Sequence, residues 1–397
     1  MDRDSAATTV SGRLQLLDAL RGFALMGLFL VHSVEQWEVF WAHPDYGPVF
    51  QWVFGIFAGK SYALLALCFG VSFFLIMSGA ARRGQDYRGR FAWRLATLAV
   101  IGLFHTIIYR GDILMVLAPL GLAMLLFDRI KSNWALLLIS LLFFIQVPLL
   151  LRAWAASNGA EWALATPLFY NDISMATLQH GTFMEVVRGN LGNGDIVKWF
   201  FFIEHGRIAQ ILGLFAVGLV LGRLNFFGEP DAFKAQRRLA LAGFAAASVF
   251  FHWIGLDALQ VLTANEAART QLDWALESWK DLALLGFEIL LFFELFQSIG
   301  RPLLGLLAAP GRMTLTLYVV QSIVFAPLFY GYGLGLWDDL NSMECLVIGV
   351  VAFVIQVAAA HVWFRHFHYG PLEWVWRAST RTTLEVPFVR RPALVGV

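Results

Sequence analysis

Residues 17–33 read LDALRGFALMGLFLVHS, and the single arginine inside that apolar run decides the fold class. A charged side chain within a membrane helix costs about 2.5 to 3.5 kcal/mol on insertion scales, so it is kept for a reason. Arg21 precedes His32 by eleven positions. Eleven helical residues turn through about three full turns and rise about 16 Å, which puts both side chains on one face at opposite depths. The stretch therefore predicts a membrane span with a polar track along one wall. The alternative for Arg21 is a pairing with Asp18 one turn earlier, the guanidinium snorkelling to the inner surface.

Working outward, the composition agrees. Of 397 residues, 59% are apolar, 15% aromatic and only 14% charged, which is an integral membrane protein rather than a soluble domain. A formal net charge of +1 offers no electrostatic footprint for nucleic acid. Cys68 and Cys345 sit in apolar runs without metal or disulfide spacing and read as small hydrophobes. The first span has no small-residue cleavage signature after it, so it is expected to stay in the protein.

Runs long enough to cross a hydrocarbon core fall at roughly 16–34, 61–80, 92–109, 112–128, 134–152, 206–223, 238–256, 281–299, 313–330 and 345–364. The reading is all-α: one polytopic transmembrane helical bundle over 1–397, with about ten spans and both termini cytoplasmic. With the N-terminus inside, twenty of the 29 Lys/Arg fall on the inner side, among them Arg82, Arg83, Arg88, Arg90, Lys234, Arg237, Arg238, Arg377, Arg390 and Arg391, while eight fall outside. An extracytoplasmic connection at 153–204 and an acidic one at 257–280, with Asp257, Glu266, Asp273 and Glu277, are too long for plain loops and predict short covering helices. Residues 365–397 form a cytoplasmic tail. Trp37, Trp41, Trp52, Trp154, Trp162, Trp199 and Trp337 read as interfacial anchors. Gly189–Gly194 and Gly331–Gly335 read as turns, since neither has the strand-to-helix context of a phosphate loop.

The spacing of the first span recurs in the third, where Arg94 precedes His105 by the same eleven residues. More polar groups then converge on the outer half: Arg110 and Asp112 after the third span, Glu204, His205 and Arg207 before the sixth, and His252 in the seventh. Imidazole suits proton transfer near neutral pH, and Asp112 is placed to orient it. His32, His105 and Asp112 are thus the candidate catalytic groups, and Arg21 and Arg94 the candidates for binding a cosubstrate phosphate. Arg110, Glu204, His205, Arg207, Glu288, Tyr318 and Gln321 are candidates for binding substrate. Glu288, near the midplane, should be protonated or paired, with Arg21 or Arg94 as partner. Ser322 has no nucleophile-elbow context. No metal motif is present.

Several stretches together resemble the YeiB-like family of bacterial inner-membrane proteins: LDALRGFALMGLFLVH at 17–32, FAGKSYALLALCFGVSFFL at 57–75, RGDIL at 110–114, GRMTLTLYVVQS at 311–322, YGYGLGL at 330–336 and YGPLEWVWR at 369–377. That family is similar to the wider transmembrane acyltransferase group. The resemblance implies that Arg21 and His32 correspond to that group's arginine, ten residues, histidine signature, with the histidine assisting acyl transfer from cytoplasmic acyl-coenzyme A to an extracytoplasmic acceptor. Many family members carry Asn at the position of His32, and Asn is common where this chain has Leu317.

The expected function is therefore a membrane-bound acyltransferase of the bacterial inner membrane, multi-pass, with acyl-CoA as co-substrate and no tightly bound cofactor. Its partners would be membrane lipid and a small-molecule, glycan or lipid-linked acceptor, with a homo-oligomer left open. The alternative is a transporter or lipid-binding membrane protein using the same buried Arg, His and Glu residues; the paired broken helices of many transporters are not visible in the sequence. The acyltransferase reading requires one chamber that joins Arg21 to His32 and His105.

Overall fold

The computed structural model of the chain describes residues 3–170, 175–253 and 263–390. Asp257 and Arg391 lie outside the described residues. Among the described residues the structure is helical, with no strand and one isolated bridge between Phe367 and Val389.

In chain order the helices are α1 (Arg3–Val34), α2 (Pro48–Phe57), α3 (Lys60–Ala81), α4 (Arg88–Thr106), α5 (Leu114–Leu120), α6 (Ala123–Phe127), α7 (Asn133–Phe144) and α8 (Val147–Ser157). The 153–204 connection then folds into short pieces, as its length predicts: α9 (Glu161–Leu164), α10 (Met175–His180), α11 (Phe183–Gly189) and α12 (Asp195–Glu204). There follow α13 (Arg207–Arg223), α14 (Lys234–Trp253), α15 (Glu266–Gln297), α16 (Arg301–Leu304), α17 (Ala308–Arg312), α18 (Thr314–Phe329), α19 (Ser342–His366) and α20 (Pro371–Arg381). Among the described residues four helices are long and apolar enough to cross a membrane, or up to six if each of two bent pairs is one span. Gly189–Gly194, expected as a turn, is instead a π-helical turn that carries α11 into α12.

Helix α1 is the axis of the bundle. Its apolar window is 67% buried, against 22% for 133–157 and for 342–366, so α1 is enclosed by protein while the latter two turn most of their surface outward. Around it stand α2, α3, α15, α17, α18 and α19. Burying apolar surface gives little drive between helices in lipid, so close approach through small residues and interhelical hydrogen bonds take over. Gly70 of α3 and Gly218 of α13 face each other, and a methyl group on either would strike the other helix's backbone carbonyl.

Polar ties complete the packing. Gln321 Nε2 donates to Gln356 Oε1 at 2.7 Å and so joins α18 to α19. Lys60 of α3 reaches Asp281 of α15 at 2.9 Å, with both side chains buried. At the other end of the chain, α20 docks by its own acid: Glu373 accepts from the amides of Leu315 and Thr316 at 2.7 and 3.1 Å and from the Thr316 hydroxyl at 2.6 Å. Burial pushes the Glu373 carboxyl above its ordinary range, against the pull of those hydrogen bonds.

Removing one member of the buried Lys60–Asp281 pair leaves an uncompensated charge. Lys60→Met is expected to destabilise the bundle by about 3 to 5 kcal/mol in a denaturant titration followed by tryptophan fluorescence, and Lys60→Met with Asp281→Leu to recover most of that loss. Equal stability of the single and double variants would refute the pairing. Glu373→Ala removes three accepted hydrogen bonds, a loss of roughly 1 to 3 kcal/mol, and should speed tryptic cleavage at Arg377 and Arg381.

Candidate functional site

The site is built where α1 ends. The chain leaves α1 through three consecutive non-glycine residues in the left-handed region, Gln36, Trp37 and Glu38, at φ 52°, 53° and 78°. Such residues cost on the order of 1 to 3 kcal/mol each and persist only where the surroundings hold them. Here Trp37 is the hold. It is fully buried, stacks on Phe325 at 5.0 Å, donates from Nε1 to the Ser322 hydroxyl at 3.3 Å and accepts at its carbonyl from the Tyr330 hydroxyl at 3.0 Å. The interfacial anchor expected at Trp37 is thus a core residue. Its turn sets two carboxylates: Glu35 accepts from His32 Nδ1 at 2.7 Å, and Glu38 pairs with Arg110 Nε at 2.5 Å.

Four residues of the RGDIL turn, Arg110 to Ile113, build the facing wall. Arg110 meets Glu38. Gly111 has no room for a side chain, because a Cβ would strike the Glu38 carboxylate and the Tyr109 hydroxyl. Asp112 caps α5, accepting from the Met115 amide at 2.7 Å with Oδ2, and its Oδ1 lies 2.7 Å from His105 Nδ1. The Ile113 amide donates to the Tyr318 hydroxyl at 3.2 Å, while the Tyr318 ring lies 4.7 Å from the His105 ring.

His105 and Asp112 are both fully buried. With Nδ1–H given to the carboxylate, Nε2 carries the lone pair, and Nε2 is buried with no hydrogen-bond partner. Tyr109 stands between the two imidazoles: its hydroxyl lies 3.1 Å from His32 Nδ1, and its ring is 5.1 Å from His32 and 6.0 Å from His105. Two histidine–carboxylate pairs therefore flank one tyrosine. Among the described residues no group of three or more His, Cys, Asp or Glu side chains is arranged to hold a metal ion.

The remaining candidates fall elsewhere. Because α1 is one continuous helix from Arg3 to Val34, Arg21 does share a face with His32, about 16 Å away. Arg21 pairs with Asp18 at 2.9 Å and donates to the Ser72 hydroxyl, so the local pairing foreseen as its alternative is present. Arg94 lies beneath Trp376, its guanidinium 3.4 Å from the ring centroid. Neither arginine meets Glu288, which corrects that expected pairing; Glu288 instead lies in the field of Lys60 and Asp281, with one carboxylate oxygen buried and unpartnered. His252 is exposed on α14.

Glu204, His205 and Arg207 form a second group. Glu204 accepts from the amides of Leu168 and Phe169 at 2.8 and 3.0 Å, His205 Nδ1 lies 3.0 Å from the Phe201 carbonyl, and Arg207 lies over the rings of Tyr62 and Phe201. Helix α12 separates the groups: Gly194 at its start packs on Arg110, and its ten residues to Glu204 span about 15 Å. A cavity of 490 Å³ opens along α20 beside Trp374, Ser379 and Leu384, and a small recess lies at Arg207. Neither is lined by Arg21, Arg94, His32 or His105, so neither is the through-going chamber expected from the sequence.

Four contributors escaped sequence reasoning: Glu35, Trp37, Glu38 and Tyr109. Glu35 carried a signal, being one helical turn after His32. The left-handed turn carried none, because no glycine or asparagine marks it.

A family profile described as "Protein of unknown function (DUF418)" matches residues 221–383. Three relatives align over nearly the whole chain. "Uncharacterized protein YxaH" of Bacillus subtilis is 27% identical, covering 94% of this chain and 95% of its own. "Uncharacterized protein YeiB" of Escherichia coli is 26% identical over 92% and 95%, and an uncharacterized 39.9 kDa protein of Bacillus acidopullulyticus is 26% identical over 93% and 94%. The matching profile and these end-to-end alignments agree with the motifs that cluster around α1, the RGDIL turn and α18, and they support a YeiB-like family for the chain.

Proposed function

We propose that this chain is an acyltransferase of the bacterial inner membrane, crossing it about ten times with both termini cytoplasmic, and that His105 is its general base. One observation carries the reading: a fully buried imidazole whose Nδ1 is held by Asp112 and whose Nε2 faces the interior with nothing to bond. A buried unpaired acceptor costs free energy unless a ligand hydroxyl fills it, and an imidazole oriented in this way accepts a hydroxyl proton.

The reaction follows. The acceptor hydroxyl gives its proton to His105 Nε2 as its oxygen bonds to the thioester carbonyl carbon of acyl-CoA. The carbon–sulfur bond breaks, the electron pair leaves with sulfur, and His105 returns the proton to the thiolate. Asp112, fixed by the Met115 amide, stabilises the imidazolium in between. His32, held by Glu35 and beside Tyr109, stands across Tyr109 from His105, and the Tyr318 ring of α18 packs on His105 from the other helix. Arg21 supplies the cation that receives coenzyme A phosphate from the inner side, exchanging Asp18 for it. Arg94 joins it once Trp376 moves aside. The acceptor is a glycan, a lipid-linked group or another small hydroxylic molecule.

A second reading has its own support. Helices α7 and α8 are broken at Gln146 and α12 and α13 at Gly206, both left-handed, and interrupted helices are a mark of transporters. In that reading the same buried Arg, His and Glu groups relay protons or hold an anionic headgroup.

Asp112→Asn keeps an acceptor for the Met115 amide but withdraws the carboxylate from His105. Transfer of a labelled acyl group from acyl-CoA is expected to fall by roughly 10³ to 10⁴, and His105→Ala to fall as far. Retained turnover in both would remove His105 from the reaction. Labelled acyl-CoA should bind the purified protein and lose at least about tenfold in affinity in Arg21→Ala; unchanged binding there, or proton-coupled flux in liposomes without acyl transfer, would favour the transporter.

A further inference from the structure

Among the acids of α15 one stands apart. Glu266 and Glu277 are exposed, and Asp273 lies in the field of Arg269 one turn before it. Asp281 takes Lys60 Nζ at 2.9 Å, and Glu294 accepts from Arg237 Nε at 2.5 Å with Arg238 Nε at 3.7 Å. Glu288 remains, the one ionisable side chain of the run LLGFEILLFF at 284–293. Its Oε1 is buried with no hydrogen-bond partner, and among the described residues no cation lies within 4.0 Å of the carboxyl. Where the residue reaches the surface, its neighbours on the same face, Leu291 and Leu295, are exposed apolar side chains, so the surface offers no counter-ion either.

The cations on the helices packed against α15 are committed elsewhere. Arg237 and Arg238 of α14 hold Glu294, Arg152 of α8 lies 3.8 Å from Glu204, and Arg21 and His32 of α1 hold Asp18 and Glu35. Lys234 and His252 of α14 are exposed, and Lys280 lies about 80° around α15 from Glu288. The charges that do act on Glu288 are those of Lys60 and Asp281, and these two are bound to each other. Lys60 is buried and donates also to the Phe54 carbonyl at 3.3 Å. The Asp281 carboxylate fills the place where Gly59, left-handed at φ 78°, would otherwise carry a Cβ. The backbone is thus shaped around the Lys60–Asp281 pair, and Glu288, two turns on and within about 20° of the same face, is left over.

Lys60, Asp281 and Glu288 make a cluster of one ammonium and two carboxyls. A net charge held out of water is costly, and the cluster is neutral only with one proton on its carboxyls. We infer that Glu288 is a proton-binding site, which holds that proton because Asp281 has claimed the ammonium. Exchange follows a change of partner: Lys60 moves from Asp281 to Glu288 as the Glu288 O–H bond breaks, and Asp281 takes up a proton, so the charge of the cluster stays at zero throughout. The site is separate from His105 and rests on neither the acyl-transfer nor the transporter reading, although a relay of protons through the bundle would need a group of this kind.

The test uses the full chain in dodecyl maltoside, a detergent without a carbonyl group, and reads the C=O stretch of a protonated carboxyl by infrared difference spectroscopy at neutral pH. Each protein is compared with the same protein carrying Glu288→Gln. The wild-type difference is expected to show the band of a protonated carboxyl, shifted to lower frequency in heavy water. Asp281→Asn frees the ammonium for Glu288 and should abolish the band although Glu288 itself is intact. Lys60→Met with Asp281→Leu removes the cation without leaving an unpaired charge and should retain it. No band in the wild-type difference, or a band that persists in folded Asp281→Asn, overturns the site; should Asp281→Asn not fold, loss of the band in the double variant overturns it.

Discussion

Everything at the His105 end of the bundle depends on the carboxylate of Asp112. With one oxygen it satisfies an amide at the start of α5, and with the other it holds a buried histidine. The first bond fixes where the carboxylate is, and the second uses that position to decide which nitrogen of His105 carries the proton. In a buried interior neither group is tolerable alone: an unpaired carboxylate is costly, and an unanchored imidazole has no preferred tautomer. The pair makes both acceptable and leaves one lone pair unclaimed.

The same economy governs the opposite wall. The three left-handed residues after α1 are unfavourable by themselves, yet they place Glu35 on His32 and Glu38 on Arg110. The packing of Trp37 between α18 and Tyr109 holds that backbone in place. Strain is therefore confined to the segment that positions polar groups, while α1 itself runs as an undistorted helix through the centre. A rigid axis with a tight, over-determined turn at its end is a sound support for a site that must keep two imidazoles in register.

Away from this wall, polar residues serve two ends. Gln321 and Gln356, or Glu373 with the start of α18, are joints whose donors and acceptors are matched. Around α15 the matching is incomplete: Lys60 and Asp281 close on each other, whereas Gln146 and Glu288 retain unanswered atoms. Helix breaks converge there too. The distinction between joint and site rests on that remainder rather than on polarity.

Much of this was legible from residue order. Composition and apolar runs place helices at the predicted stretches, because membrane insertion depends on local hydrophobicity summed over about twenty residues. The eleven-residue spacing puts Arg21 and His32 on one face, because helical geometry is the same everywhere, and Asp112 was a natural partner for His105 since a tight turn returns it to the end of its own helix. What only the tertiary structure decided is which polar groups meet across helices. Arg94 goes beneath Trp376, Glu288 toward Lys60 rather than Arg21, Arg207 onto the rings of Tyr62 and Phe201 away from His105, and Trp37 inward. Those outcomes depend on helix rotation, on backbone breaks such as that at Gln146, and on close approaches such as Gly70 to Gly218, none of which is a property of any one segment.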